Sequence, residues 1–189
     1  IETFTTCDQS CCYRTLSLDE SGMPFDFSPL RVLIVDDNPF MRRLLREVLV
    51  ALSFHPDRAW FAADGEDALR AMRDRRFDLI ICDINMKPMD GKQFTRHVRM
   101  DPESEDPYVP IIICTGHAEI EHIREARDAG ASEILRKPIT VRNLYERIRS
   151  IVEKPRPFIR TDDYHGPDRR RQDLPFKGPD RRNNSPVAV

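Results

Sequence analysis

Arg31-Val32-Leu33-Ile34-Val35-Asp36-Asp37-Asn38-Pro39 is the stretch that decides the fold. Its short β-branched apolar run reads as a buried strand, and the run breaks off into two carboxylates. Asn38 then offers a helix cap and Pro39 a first-turn residue, after which Met41, Leu44, Leu45, Val48 and Leu52 recur at helical spacing. Outward from this unit the same alternation repeats. Strands are predicted at Asp57–Phe61, Leu79–Cys82, Val109–Cys114 and Glu133–Arg136. Helices are predicted from about Gly65, with Ala68, Leu69 and Met72 inward, and from Gly91, with Phe94 and Val98 inward. Two more are predicted over Glu119–Ala129, closed by Gly130, and after a Thr140 cap, with Leu144, Ile148, Ile151 and Val152 inward. Five apolar strands, each followed by a helix, imply an α/β protein with a doubly wound parallel sheet, since such strands need burial on both faces.

The whole chain has 189 residues, with 30 basic and 32 acidic side chains. That near balance argues against polybasic binding of nucleic acid or membrane by the chain as a whole. No apolar run reaches bilayer length and Ile1–Ser10 lacks a secretory pattern, so a soluble cytoplasmic protein is expected. Cys82 and Cys114 fall in apolar runs and read as small buried hydrophobes, while Cys7, Cys11 and Cys12 lack zinc-ligand spacing. Charge is unevenly spread: residues 1–28 carry net −4 and residues 153–189 carry net +3. Three segments are therefore expected: a disordered or non-native stretch over 1–28, one domain over 29–153, and a flexible Pro/Arg-rich arm over 154–189.

In open parallel sheets, ligands collect at the carboxyl ends of the strands. Here those ends carry Asp36-Asp37, Asp83, Thr115 and Arg136-Lys137-Pro138. Two bare carboxylates about 4 Å apart repel by roughly 4 kcal/mol at an effective dielectric near 20, so the site calls for a divalent cation or a raised pKa. Magnesium suits an all-oxygen site with room for water and phosphate. A carboxylate there can attack phosphorus, with magnesium and lysine holding the phosphoryl oxygens.

Val35-Asp36-Asp37-Asn38, Asp83-Ile84-Asn85-Met86-Lys87-Pro88-Met89-Asp90-Gly91, Thr115-Gly116 and Lys137-Pro138 together resemble the receiver domain of bacterial two-component response regulators, specifically the chemotaxis-type single domain. The resemblance covers roughly Leu30 to Glu153 and implies a flavodoxin-like sheet of order 2-1-3-4-5. It implies Asp83 as phosphoacceptor, Thr115 as a hydrogen-bond partner of the phosphoryl group, and Lys137 as its electrostatic partner. It further implies magnesium held by Asp37, Asp83 and the backbone carbonyl of Asn85, with Asp36 helping through water. The implied partners are a sensor histidine kinase or histidine phosphotransfer protein, and a downstream protein docking on the helix 4–strand 5–helix 5 face, with no DNA-binding domain and no membrane. Two departures stand out. Lys87 precedes Pro88 in the loop after the phosphoacceptor, and aliphatic Ile134 stands where the family usually carries an aromatic switch residue. An aspartate-based phosphatase is disfavoured, because Asn85 stands where such enzymes need a second acid for proton transfer.

The arm contains a repeat, Gly166-Pro167-Asp168-Arg169-Arg170 and Gly178-Pro179-Asp180-Arg181-Arg182. Aspartate can accept from a guanine edge, and arginine can stack on a base or fork a phosphate. The arm resembles the arginine-rich extension of chemotaxis-like receivers that bind cyclic di-GMP and act in motility. That resemblance gives an alternative function, a nucleotide effector using Asp168, Arg169, Arg170, Arg171, Asp180, Arg181 and Arg182. His117 is a candidate to line the approach of an attacking water, against the plainer reading of a solvated loop histidine.

Overall fold

The computed structural model describes residues 26–116 and 120–169. The five expected strands are β1 (Val32–Val35), β2 (Ala59–Ala62), β3 (Leu79–Asp83), β4 (Ile111–Thr115) and β5 (Glu133–Arg136). They form one parallel sheet in the order β2-β1-β3-β4-β5. The helices are α1 (Pro39–Ala51), α2 (Gly65–Asp74), α3 (Gly91–Met100), α4 (Ile120–Asp128) and α5 (Val141–Glu153).

Side-chain alternation along the strands divides the core in two. Leu33, Val35, Ile80, Ile111 and Ile113 face α2 and α3 through Ala68, Met72, Phe94 and Val98. Val32, Ile34, Ile81 and Ile112 face α1 and α5 through Leu45, Leu49, Leu144 and Ile148. Fully burying one such side chain contributes roughly 1.5–3 kcal/mol before entropy is counted, so the doubly covered central strands anchor the domain. Helix starts are fixed by side chains at the sheet's carboxyl edge. Asn38 accepts from the Phe40 amide and Asp64 from the Asp67 amide, while Asp90 with Gln93 and Thr140 with Asn143 form reciprocal capping boxes. Each cap contributes about 1 kcal/mol.

Three local expectations shift. Leu44 is 38% exposed and Leu49 takes its place on the buried face of α1, because helix rotation brings Leu45, Val48 and Leu49 inward together. Asp57 and Arg58 lie in a 3₁₀ turn, Pro56–Arg58, capped by the His55 ring, so the second strand starts at Ala59. Phe27 is buried, stacking on Phe54 at 5.0 Å between ring centroids, so the packed domain begins before residue 29.

The larger difference lies beyond α5. Instead of an arm that starts at residue 154, strands β6 (Phe158–Thr161) and β7 (Tyr164–Pro167) form an antiparallel hairpin. All four β7 residues are buried. The segment has too little apolar surface to fold alone, but it closes over the opposite edge of the sheet, beneath the starts of β4 and β5. There Arg99, only 2% exposed, donates to the carbonyls of Gly130 (3.0 Å), Pro107 (2.7 Å) and Val109 (2.8 Å). The His165 ring hydrogen-bonds the Arg99 carbonyl at 2.8 Å and packs edge-on to Tyr108 and Phe158. The backbones meet at Gly130 and Gly166: a Cβ on Gly166 would lie 2.9 Å from the Gly130 Cα, and Gly130 itself adopts φ +102°.

Candidate functional site

The carboxyl edge of the sheet gathers the residues singled out from sequence. Asp36 lies just past β1, Asp83 ends β3, Thr115 ends β4, and Lys137 follows β5. Lys137 is placed by its backbone amide, which donates to the Thr115 carbonyl at 2.8 Å. Its ammonium then bridges two acids from other strands, 2.7 Å from Asp83 Oδ1 and 3.3 Å from Asp36 Oδ2. The remaining oxygens of both acids are also used: Asp83 Oδ2 accepts from the Asn85 amide at 2.8 Å, and Asp36 Oδ1 from the Asn38 amide at 2.9 Å. Asp36, Asp83 and Thr115 are buried, whereas Asp37 is exposed at the rim.

Burial dominates the electrostatics at Asp83. Loss of water pushes its carboxyl above the ordinary value, and the Lys137 ammonium only partly opposes this. For Lys137 burial pulls downward, but the ion pairs with Asp83 and Asp36 outweigh it and hold the ammonium above its ordinary value. The site therefore holds a buried, partly compensated negative charge next to a lysine that stays protonated. The donors are hard oxygens, Asp36, Asp37, Asp83 and the Asn85 carbonyl, and that chemistry fits magnesium rather than a softer metal. Among the described residues no three metal-ligating side chains converge on one point. Lys137 bridges two of the acids instead.

Two positioning features escaped the sequence reading. Gly91 starts α3 against the end of β3, where a Cβ would lie 2.2 Å from the Asp83 carbonyl oxygen. Any side chain there would push β3 and α3 apart. Arg42, on the first turns of α1, donates to the Asp36 carbonyl and brings a cation beneath the acid pair. Gly91 is visible in sequence as a helix start, but its closeness to the end of β3, like the reach of an arginine on an amphipathic helix, is not.

The residues expected in the arm fare differently. Asp168 and Arg169 are built into the hairpin's base: the Asp168 amide donates to the Pro157 carbonyl, and Arg169 pairs with Asp128 at 3.1 Å and lies 4.0 Å over the Tyr164 ring. Arg170, Arg171, Asp180, Arg181, Arg182, His117 and the N-terminal cysteines lie outside the described residues. Ile134 is half-buried on β5 and packs against the core layer that faces α2 and α3.

This order of strands with acids, hydroxyl and lysine at one edge defines a response regulator receiver, and residues 32–149 match the model of the response regulator receiver domain. The chain belongs to that family. It is 34% identical over 125 residues to chemotaxis protein CheY-3 of Vibrio cholerae, covering 66% of this chain and 93% of that protein. Chemotaxis protein CheY of Pseudomonas aeruginosa is likewise 34% identical, covering 66% of this chain and 98% of the relative. Among solved structures, Vibrio cholerae CheY4 superposes with a TM-score of 0.58 at 32% identity, covering 65% of this chain and 98% of that one. The receiver domain of a Pseudomonas aeruginosa sensor histidine kinase, solved with magnesium in its active-site cleft, gives 0.58 at 27% identity over 66% of this chain and 98% of its own. Receivers are signalling proteins rather than conventional enzymes. Among the described residues no helix is long and apolar enough to cross a membrane.

Proposed function

We propose that this protein is a receiver that takes a phosphoryl group on Asp83 from a phosphohistidine of a sensor kinase or histidine phosphotransfer protein. The observation that carries this reading is the bridge of Lys137 between buried Asp83 and Asp36. An Asp83 oxygen forms the new P–O bond while the donor's P–N bond breaks, and the imidazole, already protonated at its other ring nitrogen, leaves neutral with the P–N electron pair. Lys137 stays protonated and exchanges its contact with the Asp83 carboxylate for one with a phosphoryl oxygen. The Thr115 hydroxyl hydrogen-bonds another phosphoryl oxygen, and Gly91 holds the β3 end in line. Magnesium, when held by Asp37, Asp83 and the Asn85 carbonyl with Asp36 behind, supplies a countercharge for the phosphoryl oxygens.

Output then runs through protein docking on the surface formed by α4, β5 and α5, in a chemotaxis or motility response like that of the relatives. The cyclic di-GMP reading gains no support from the described residues: Arg169 is paired with Asp128 and lies over the Tyr164 ring, and the other candidate arginines fall outside those residues. Incubation with a small phosphodonor and magnesium, followed by intact-mass measurement, tests the assignment. One phosphoryl group should add to the parent and none to Asp83→Asn; a phosphorylated Asp83→Asn protein refutes the site.

A further inference from the structure

The three acids at the carboxyl edge are held unequally. Asp83 is tied at both carboxylate oxygens, to Lys137 at 2.7 Å and to the Asn85 amide at 2.8 Å. Asp36 is tied in the same way, to Lys137 at 3.3 Å and to the Asn38 amide at 2.9 Å, and its own amide donates to the Ala62 carbonyl at 3.2 Å. Asp37 has no such hold. It is exposed, and among the described residues its carboxylate has no hydrogen-bond or ion-pair partner. Where that carboxylate sits is therefore decided by the main chain that carries it. The peptide joining Asp36 to Asp37 is fixed at its carbonyl, which accepts from the Arg42 guanidinium. Arg42 is itself anchored, because its amide closes the first turn of α1 on the Asn38 carbonyl at 3.2 Å and the helix is seated by buried Leu45, Val48 and Leu49. A planar guanidinium carried by a packed helix gives the carbonyl a rigid, charge-assisted partner.

Resting on the magnesium reading above, we propose that Arg42 is a positioning residue: by fixing the Asp36–Asp37 peptide it aims the Asp37 carboxylate at the metal, and so sets a preference for magnesium over a larger divalent cation. Magnesium demands near-ideal octahedral oxygens at about 2.0–2.1 Å, whereas calcium accepts a looser set at about 2.3–2.6 Å. A carboxylate left free to swing therefore costs magnesium more than calcium. Residues that orient a metal ligand through a hydrogen bond are worth roughly 10–100-fold in affinity when removed. The charge of Arg42 acts in the opposite sense, since a cation near the site repels either metal to a similar degree. Removing the side chain thus separates the two effects by sign: lost positioning weakens magnesium selectively, and lost charge strengthens both ions.

The full chain, labelled with ¹⁵N, is titrated with magnesium chloride and, separately, with calcium chloride, and binding is read from the amide shifts of Asp37 and Asn85. Arg42→Met should weaken magnesium binding about tenfold and calcium binding by less than about threefold. Arg42→Gln, too short to reach the Asp36 carbonyl, should do the same and carries the test if the methionine variant does not fold. Magnesium binding that is unchanged or tighter in the variants overturns the proposal, and so does an equal loss for the two ions, which a general loosening of the site would produce. Failure of the magnesium reading looks different: a parent that binds neither ion refutes that reading and the proposal with it, whereas a parent and variants that bind magnesium equally well refute the role of Arg42 alone.

Discussion

The two ends of the sheet bury charge in opposite ways. At the carboxyl edge, Asp83 and Asp36 share one lysine, and burial still pushes the Asp83 carboxyl up. At the amino edge, Arg99 is as deeply buried, yet its guanidinium is spread over three backbone carbonyls and roofed by the Phe158 ring. The first arrangement is incomplete and can accept a new group. The second has its donors matched and serves to hold loops together. Deep burial of a charge thus marks function only where compensation falls short.

Replacing Arg99 should show this most strongly. Arg99→Met leaves the Gly130, Val109 and Pro107 carbonyls without this donor and loosens the hairpin, so stability by urea denaturation should fall by about 3–5 kcal/mol. Phosphodonor labelling of the folded fraction should survive. A stable variant that cannot be labelled would erase the contrast between the two ends. At the other edge, Lys137→Ala should cut the rate of labelling by roughly 10²-fold, equivalent to about 2.7 kcal/mol, while the fold persists. A third substitution sharpens the division within the carboxyl edge itself. Asp90→Ala removes a capping box but no ligand, and should cost about 1 kcal/mol of stability with labelling retained.

The smallest effect is one of pH. Because Asp83 in the folded protein holds its proton to a higher pH than the ordinary 3.8, the folded state binds more protons than the unfolded one in that window. Stability therefore declines as pH rises through it. Asp83→Asn should be more stable than the parent at neutral pH, with the gap closing as pH falls through the raised pKa of folded Asp83 towards the ordinary 3.8. Urea denaturation at several pH values measures it, and a constant gap would remove the buried-charge account.

The carboxyl edge was legible in sequence because each of its groups follows a recognisable apolar strand. What one sequence hides is the pairing: Lys137 and Asp36 meet across 101 positions, and only the parallel register brings them together. The hairpin was harder still. Tyr164, His165, Gly166 and Pro167 show no periodic pattern, and a proline-rich basic stretch reads as solvated when considered alone. Its burial depends on Arg99, Tyr108 and Gly130, which come from α3, the α3–β4 loop and the α4–β5 loop. The repeat was visible too, but sequence did not show that the glycine of its first copy lies against Gly130 and that Arg169 pairs with Asp128. Along α1, the stripe missed Leu49 because both Leu44 and Leu49 fit a broad apolar face, and only packing against β1 chooses between them.

The hairpin also separates two notions of where a module ends. The family match stops at residue 149, inside α5, whereas ordered contacts with the receiver continue to Arg169. A swap of receivers between regulators cut at the inherited boundary would carry Arg99 without its Phe158 roof. The unit that can be transplanted intact runs from Phe27 to Arg169, and along that length the extension belongs to the receiver's own architecture rather than to whatever follows it.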